Sequence, residues 1–205
     1  SKALKHPTWK MGNKISIDSA TMINKVYEVI EAKNIFQIPY KKIDILVHPK
    51  SYVHAIVKFK NGLIKIIAHD TTMKIPIFNT LYFNTKKTIK TSDLNLDILN
   101  NLNLKKIESK RYPMIKLLNL LTDKHTLFDT IVVSANDVLV ELFLQKKINF
   151  KEINIKLFEF IKNKEFLKYR NIYPQNLNDI LNLNKYVRLK VIEKVYKSSN
   201  VKKHI

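Results

Sequence analysis

Lys-Ile-Ser-Ile-Asp at 14–18, followed by Ser19 and then by Ala20 to Lys33, is the stretch on which the fold reading turns. Its first five residues alternate polar and apolar side chains, the period of a short strand. Ser19 suits a helix start, because a serine oxygen can accept from one of the free N–H groups there. Beyond it, Met22, Ile23, Val26, Val29 and Ile30 recur at helical spacing. The pattern predicts a strand over 14–18 running into a helix over 20–33. Working outward, Asp44 to His48 reads as a buried strand. Val53 to Phe59 and Leu63 to Ala68 are β-rich runs joined across Asn61-Gly62, a strong hairpin signal. The first eighty or so residues are therefore α/β material with a partly antiparallel sheet.

From Asn84 to Lys110 the periodicity weakens into Thr, Lys, Ser, Asp and Asn, and a linker with some local structure is expected. After Pro113 the chain reads as helical, with Met114 to Leu121, Asp129 to Lys146, Phe150 to Lys162 and Leu177 to Lys197 as segments and Pro174 as a break. The expected organisation is a mixed α/β domain over 1–83, a linker over 84–110 and an all-α helical bundle over 111–205.

Composition narrows the function classes. The chain has 205 residues, 45% of them hydrophobic, and no cysteine. That is folded rather than disordered material, without disulfides, thiolate zinc sites or cysteine nucleophiles. No apolar run reaches the length of a membrane span, so no membrane association is expected. Only Gly12 and Gly62 are glycine, which excludes a three-glycine dinucleotide fingerprint and a P-loop within the chain. The net charge of +20 raises nucleic acid as a partner, but only three of the 37 basic residues are arginine: Arg111, Arg170 and Arg188. Lysine, asparagine (21) and isoleucine (27) are inflated together, the signature of a compositional drift more than of a polyanion-binding surface.

Three constellations could carry chemistry. Asn24, Glu28 and Glu31 share one helical face, with Lys25 beside them and Ser19 upstream. A lysine, an amide and a hydroxyl near a helix N-terminus can hold a phosphate, and a carboxylate one turn along can ligate a hard divalent cation. The plainer alternative is a capped helix with a solvated Lys25–Glu28 ion pair. His-Pro-Thr-Trp-Lys-Met-Gly at 6–12 suits a loop that closes over a flat or apolar group; alternatively Trp9 anchors a terminus on the core. His48 and His54 flank Ser51 between apparent strands, where a hydrogen-bonded structural imidazole is the alternative, and no histidine spacing fits a metal site.

Taken together these segments resemble one family. His6 to Lys25, then Glu-Val-Ile-Glu-Ala at 28–32 and Val-His-Pro-Lys-Ser-Tyr-Val-His at 47–54, resemble the catalytic region of the 1-deoxy-D-xylulose 5-phosphate reductoisomerases. Met-Lys-Ile-Pro at 73–76, Arg-Tyr-Pro at 111–113 and Ser-Ala-Asn-Asp at 134–137 extend the resemblance along nearly the whole chain. It implies a metal-assisted skeletal rearrangement of 1-deoxy-D-xylulose 5-phosphate, followed by NADPH-dependent reduction to 2-C-methyl-D-erythritol 4-phosphate in isoprenoid precursor synthesis. By position, His6, Ser19, Asn24 and Lys25 match the phosphate site. Glu28 matches a ligand of Mn2+, Mg2+ or Co2+, with Glu31 as a nearby second carboxylate. Trp9 matches a flap over the substrate, and His54 a histidine that helps to place it. Met11, Gly12 and Met73 match the neighbourhood of the nicotinamide. The resemblance also implies a homodimer, in a bacterial cytoplasm or a plastid-type organelle.

The chain departs from the family at Val26, where glycine is usual, at Lys50, where glutamine is usual, and over His-Asp-Thr-Thr at 69–72, where Gly-x-Pro-Asp is usual. The family's Rossmann NADPH domain, one phosphate-site serine and two metal carboxylates are expected upstream of Ser1, so the 205 residues alone are expected to be inactive. Two other readings compete: a lysine-rich helical nucleic-acid binder and an inactive dimerising remnant.

Overall fold

The structure, a computed structural model, describes residues 12–201, with side chains through residue 197. It is mixed α/β with a larger helical part, and it divides into two compact units. The helical unit comprises Gly12–Asp44 and the chain from Ser109 onward; the second comprises Ile45–Glu108. Compact packing thus groups the first two helices with the C-terminal helices, and residues 84–108 with the hairpin.

In the helical unit, α1 (Asn13–Thr21) and α2 (Ile23–Phe36) are separated by Met22 alone, at φ 65. This corrects the strand expected over 14–18. Five alternating residues are too short a window to exclude a helix, and Ser16, Ile17 and Asp18 are buried in succession, which a half-exposed strand does not do. Lys14 and Asp18 pair at i, i+4, a contact that only the helix makes. Ser19 is consequently inside α1 and caps nothing, while the break expected at Ser19 falls at Met22.

α5 (Phe128–Leu144) is the centre of the unit, with ten buried residues, Ser134, Ala135 and Asn136 among them. Around it pack α1, α6 (Phe150–Ile161), α7 (Lys164–Leu167) and α8 (Leu177–Val201). α6 opens with a reciprocal capping box between Asn149 and Glu152. α8 turns Leu183, Val187, Val191 and Val195 inward at four-residue intervals, and the Asn184 amide donates to Ser134 Oγ at 2.8 Å. A 3-10 helix over Pro113–Asn119 packs on α2. The helical segments expected after Pro113 are present.

In the second unit, β2 (Val53–Lys58) and β3 (Ile64–Ala68) form an antiparallel hairpin with Ile56 opposite Ile66. Its loop is Lys60-Asn61-Gly62: Phe59 N–H donates to the Leu63 carbonyl, and Gly62 N–H to the Phe59 carbonyl. Gly62 takes φ 89, the left-handed conformation that such a loop needs and glycine supplies. The strand expected at 44–48 contracts to β1 (Leu46–Val47), which pairs with β4 (Lys105–Lys106). α3 (Lys74–Leu81) and α4 (Leu96–Asn100) complete the unit.

Candidate phosphate and metal site at the start of α2

The elbow at Met22 decides where the polar residues go. It ends α1 and starts α2 within one residue, so Asn24 and Lys25 occupy the first turn of α2. N–H groups without intrahelical partners and the positive end of the helix dipole lie there, the place for an anion. Ser19 stands on the last turn of α1, its carbonyl accepting from Met22 N–H at 3.1 Å. The anion-favouring helix start is therefore that of α2, not one capped by Ser19.

Both oxygens of the Glu28 carboxylate are engaged. Asn24 Nδ2 donates to Oε1 and Lys25 Nζ to Oε2, each at 2.7 Å. Lys25 and Glu28 keep 43% and 46% of their side-chain surface exposed, so the pair is solvated and weak, and can open for a ligand. Glu31 lies three residues on and is exposed. Among the described residues no group of three or more His, Cys, Asp or Glu side chains is placed to hold a metal ion. Glu28 and Glu31 are hard oxygen donors of the right kind for a divalent cation, but they do not complete its coordination.

The remaining site residues lie elsewhere. His6, Trp9 and Met11 fall outside the described residues. Gly12 precedes α1 at φ −62 and is exposed, with open space where a Cβ would stand. His54 and Met73 belong to the second unit. His54 stacks on His69 with ring centroids 3.7 Å apart and planes at 10°, and its Nε2 lies 3.3 Å from the His69 carbonyl oxygen. Met73 is exposed at the start of α3. His48, by contrast, is a buried structural imidazole whose Nδ1 donates to the Leu102 carbonyl at 2.5 Å.

Sequence reasoning missed two polar clusters in the helical unit, each built around a buried charged group, Asp18 in one and Lys33 in the other. In the first, Asp18 Oδ2 accepts from Lys14 Nζ at 2.7 Å, and Oδ1 from Asn136 Nδ2 at 2.8 Å; Lys14 also lies 3.0 Å from Asp137. Burial acts to lower the Lys14 pKa, but the hydrogen bonds and charges of Asp18 and Asp137 together raise it, so its ammonium persists. Burial, then the charges of Asp18 and Asp137, push the Tyr27 hydroxyl well above the tyrosine range. The available signal was the Lys14–Asp18 spacing, legible only once 14–18 is helical. In the second cluster, the Lys33 ammonium is buried without a hydrogen bond, 5.8 Å from the Tyr40 ring centroid. Burial raises the Asp129 carboxyl from 3.8 to about 6 against the opposing pull of Lys33.

Comparison with known proteins gives one family throughout. A family model described as "DXP reductoisomerase C-terminal domain" matches residues 70–190, and one described as "1-deoxy-D-xylulose 5-phosphate reductoisomerase C-terminal domain" matches residues 1–36. The 1-deoxy-D-xylulose 5-phosphate reductoisomerase of Pelagibacter ubique (strain HTCC1062) is 57% identical over 189 residues, covering 92% of this chain and 49% of the relative. That of Persephonella marina (strain DSM 14350 / EX-H1) is 35% identical over 202 residues, covering 98% and 52%. A crystal structure of DOX-P reductoisomerase in complex with NADPH, fosmidomycin and magnesium superposes with a TM-score of 0.83 at 30% identity, over 95% of this chain and 49% of that one. The Zymomonas mobilis enzyme in complex with NADPH gives 0.74 at 29% identity, over 89% and 47%. The chain spans about half the length of the curated relatives it matches. It belongs to the 1-deoxy-D-xylulose 5-phosphate reductoisomerase family, by its match to that family's C-terminal domains.

Proposed function

We propose that the full natural polypeptide is an NADPH-dependent reductoisomerase converting 1-deoxy-D-xylulose 5-phosphate to 2-C-methyl-D-erythritol 4-phosphate, with a divalent cation, Mn2+, Mg2+ or Co2+, as cofactor. The observation that carries this reading beyond family membership is the Asn24–Lys25–Glu28 group in the first turns of α2. Lys25 and Asn24, with Ser19 and His6, take the substrate phosphate; binding it far from the reacting carbons orients the substrate for the chemical step. Glu28, with Glu31 nearby, is the share of the cation's ligands that the described residues offer, and the remaining ligands come from outside them. When bound, the cation supplies Lewis acidity at the substrate oxygens. His54 helps to place the substrate, Trp9 covers it, and Met11, Gly12 and Met73 lie toward the nicotinamide. In this division of labour residues 1–83 carry catalysis, 84–110 connect, and 111–205 support.

A homodimer is part of the same reading. Ile56 and Val57 of β2 and Ile64, Ile66 and Ile67 of β3 are all exposed, which is costly surface for a two-stranded ribbon to leave in water. A second copy would cover it.

Two substitutions in the full natural polypeptide test the site. Lys25→Ala removes a charge-assisted hydrogen bond worth about 1.5–3 kcal/mol and is expected to lower kcat/KM by roughly one to two orders of magnitude at any metal concentration. Glu28→Gln is expected to lower kcat and raise the divalent-cation requirement, with partial rescue by excess Mn2+. Wild-type kcat/KM in the first variant, or wild-type metal dependence in the second, refutes the corresponding role.

A further inference from the structure

The two helices that carry the proposed phosphate group meet at a conformation a methionine does not choose freely. Met22 at φ 65 is left-handed backbone, which is strained for a non-glycine residue and persists only where the surroundings impose it. The apolar anchors of the elbow, Ile17, Ile23 and Val26, are fully buried, but burial of apolar surface is non-directional. The directional contacts come from Asp18, the residue before Ser19, whose side chain is only 2% exposed.

Asp18 ties three elements together. Its Oδ2 accepts from Lys14 within α1, and its Oδ1 accepts at 2.8 Å from Asn136, 118 residues away and fully buried at the centre of α5. Its backbone carbonyl accepts from the Thr21 hydroxyl at 3.2 Å, and Thr21 Oγ1 accepts from Ile23 N–H, the first of α2, at a long 3.5 Å. One residue thus links the centre of the core to both sides of the elbow. A charge-assisted bond of good geometry between two buried groups fixes the rotation and advance of α1 on α5. Ser19 follows at once on one side of the elbow; Asn24 and Lys25 follow on the other.

We propose that Asp18 and Asn136 are positioning residues for the phosphate-binding group Ser19, Asn24 and Lys25, an inference that rests on the function proposed above. They touch no substrate. They set the angle at which the last turn of α1 and the first turn of α2 present their donors to one anion. Ser-Ala-Asn-Asp at 134–137, on a helix with no proposed contact to substrate, thereby acquires a role in the site.

The test uses the full natural polypeptide carrying Asp18→Asn, Asn136→Asp, both together, and Lys25→Ala as the reference. Asp18→Asn keeps the shape but removes the charge that Lys14 and Asn136 face. Asn136→Asp sets a second carboxylate against Asp18. The double variant rebuilds a carboxylate–amide pair with its polarity reversed. Each single variant is expected to raise KM for 1-deoxy-D-xylulose 5-phosphate about tenfold with kcat within threefold, and to weaken calorimetric binding of inorganic phosphate by a similar factor. The double variant is expected to return both within threefold of wild type. If a single variant fails to fold, the double variant and the milder Asn136→Ser carry the comparison. Lowered melting temperatures with KM and phosphate affinity within twofold of wild type would make the pair merely structural and overturn the proposal. A folded double variant without recovery overturns it as well. Should Lys25→Ala leave phosphate affinity unchanged, the phosphate reading itself falls, and because Lys25 lies outside the Asp18 network the two failures are told apart.

Discussion

Asp129 is the second residue of α5, where the helix dipole favours a negative charge, yet burial dominates and lifts its carboxyl from 3.8 to about 6. A rise of that size corresponds to about 3 kcal/mol between the protonated and ionised forms. The sign follows from proton counting. Between pH 3.8 and 6 the folded chain holds a proton that the unfolded chain has released, so stability falls as pH rises. The contribution is fully present below pH 3.8 and lost once the pH has passed about 6. Asp129→Asn deletes the titration while keeping the shape. It leaves the buried Lys33 ammonium without a facing charge, but so does protonated Asp129 in the wild type at low pH, and that penalty cancels when the two proteins are compared across pH. The assay is urea unfolding of wild type and Asp129→Asn at half-unit steps from pH 4 to 7, taking the difference in unfolding free energy. The variant should gain on the wild type by about 2.4 kcal/mol between pH 4 and 7, most of it by pH 6.5, the rest of the about 3 kcal/mol lying below pH 4. Parallel stability profiles would mean that Lys33 holds Asp129 in the ordinary carboxylate range, and would refute the dominance of burial.

Other expectations can be checked alongside. Leu139→Ala, at a fully buried position in α5, should cost about 2–5 kcal/mol in the same unfolding assay. Gly62→Ala should destabilise the hairpin by about 1 kcal/mol for backbone reasons alone, since nothing lies within 4 Å of the added Cβ. Gly12→Ala should leave stability unchanged, because its φ of −62 and open surroundings suit alanine, so a raised KM for NADPH there would report a cofactor contact. Replacing both Lys25 and Glu28 should change stability by less than about 1 kcal/mol, the worth of an exposed pair, and a larger loss on thermal melting would mean that their kinetic effects reflect unfolding. The 205 residues by themselves should show no saturable quenching of NADPH fluorescence, because neither glycine can build a pyrophosphate loop.

What was legible in the sequence was what neighbours along the chain decide. The hairpin follows from two β-rich runs around Asn61-Gly62, whose glycine alone tolerates the loop's left-handed turn. The C-terminal helices follow from apolar residues recurring every three or four positions over a dozen residues or more, enough turns for the period to be unambiguous. The Asn24, Lys25 and Glu28 contacts are likewise local, one helical turn apart, and the shared face of Asn24 and Glu28, with Lys25 beside it, was readable from spacing. Tertiary structure decided the rest. Residues 14–18 alternate as a strand would, and they are helical because Asp18 is held by Lys14 one turn back and by Asn136 far along the chain. The site's helix therefore begins after Met22, and Ser19 reaches it from a different helix. Lys33 lies buried on a face where periodicity places only apolar residues, because α2 meets the chain around Tyr40 and Asp129. Local spacing names residues on one helix, but the angle between two helices is set by partners more than a hundred residues apart, and no short window of sequence contains them.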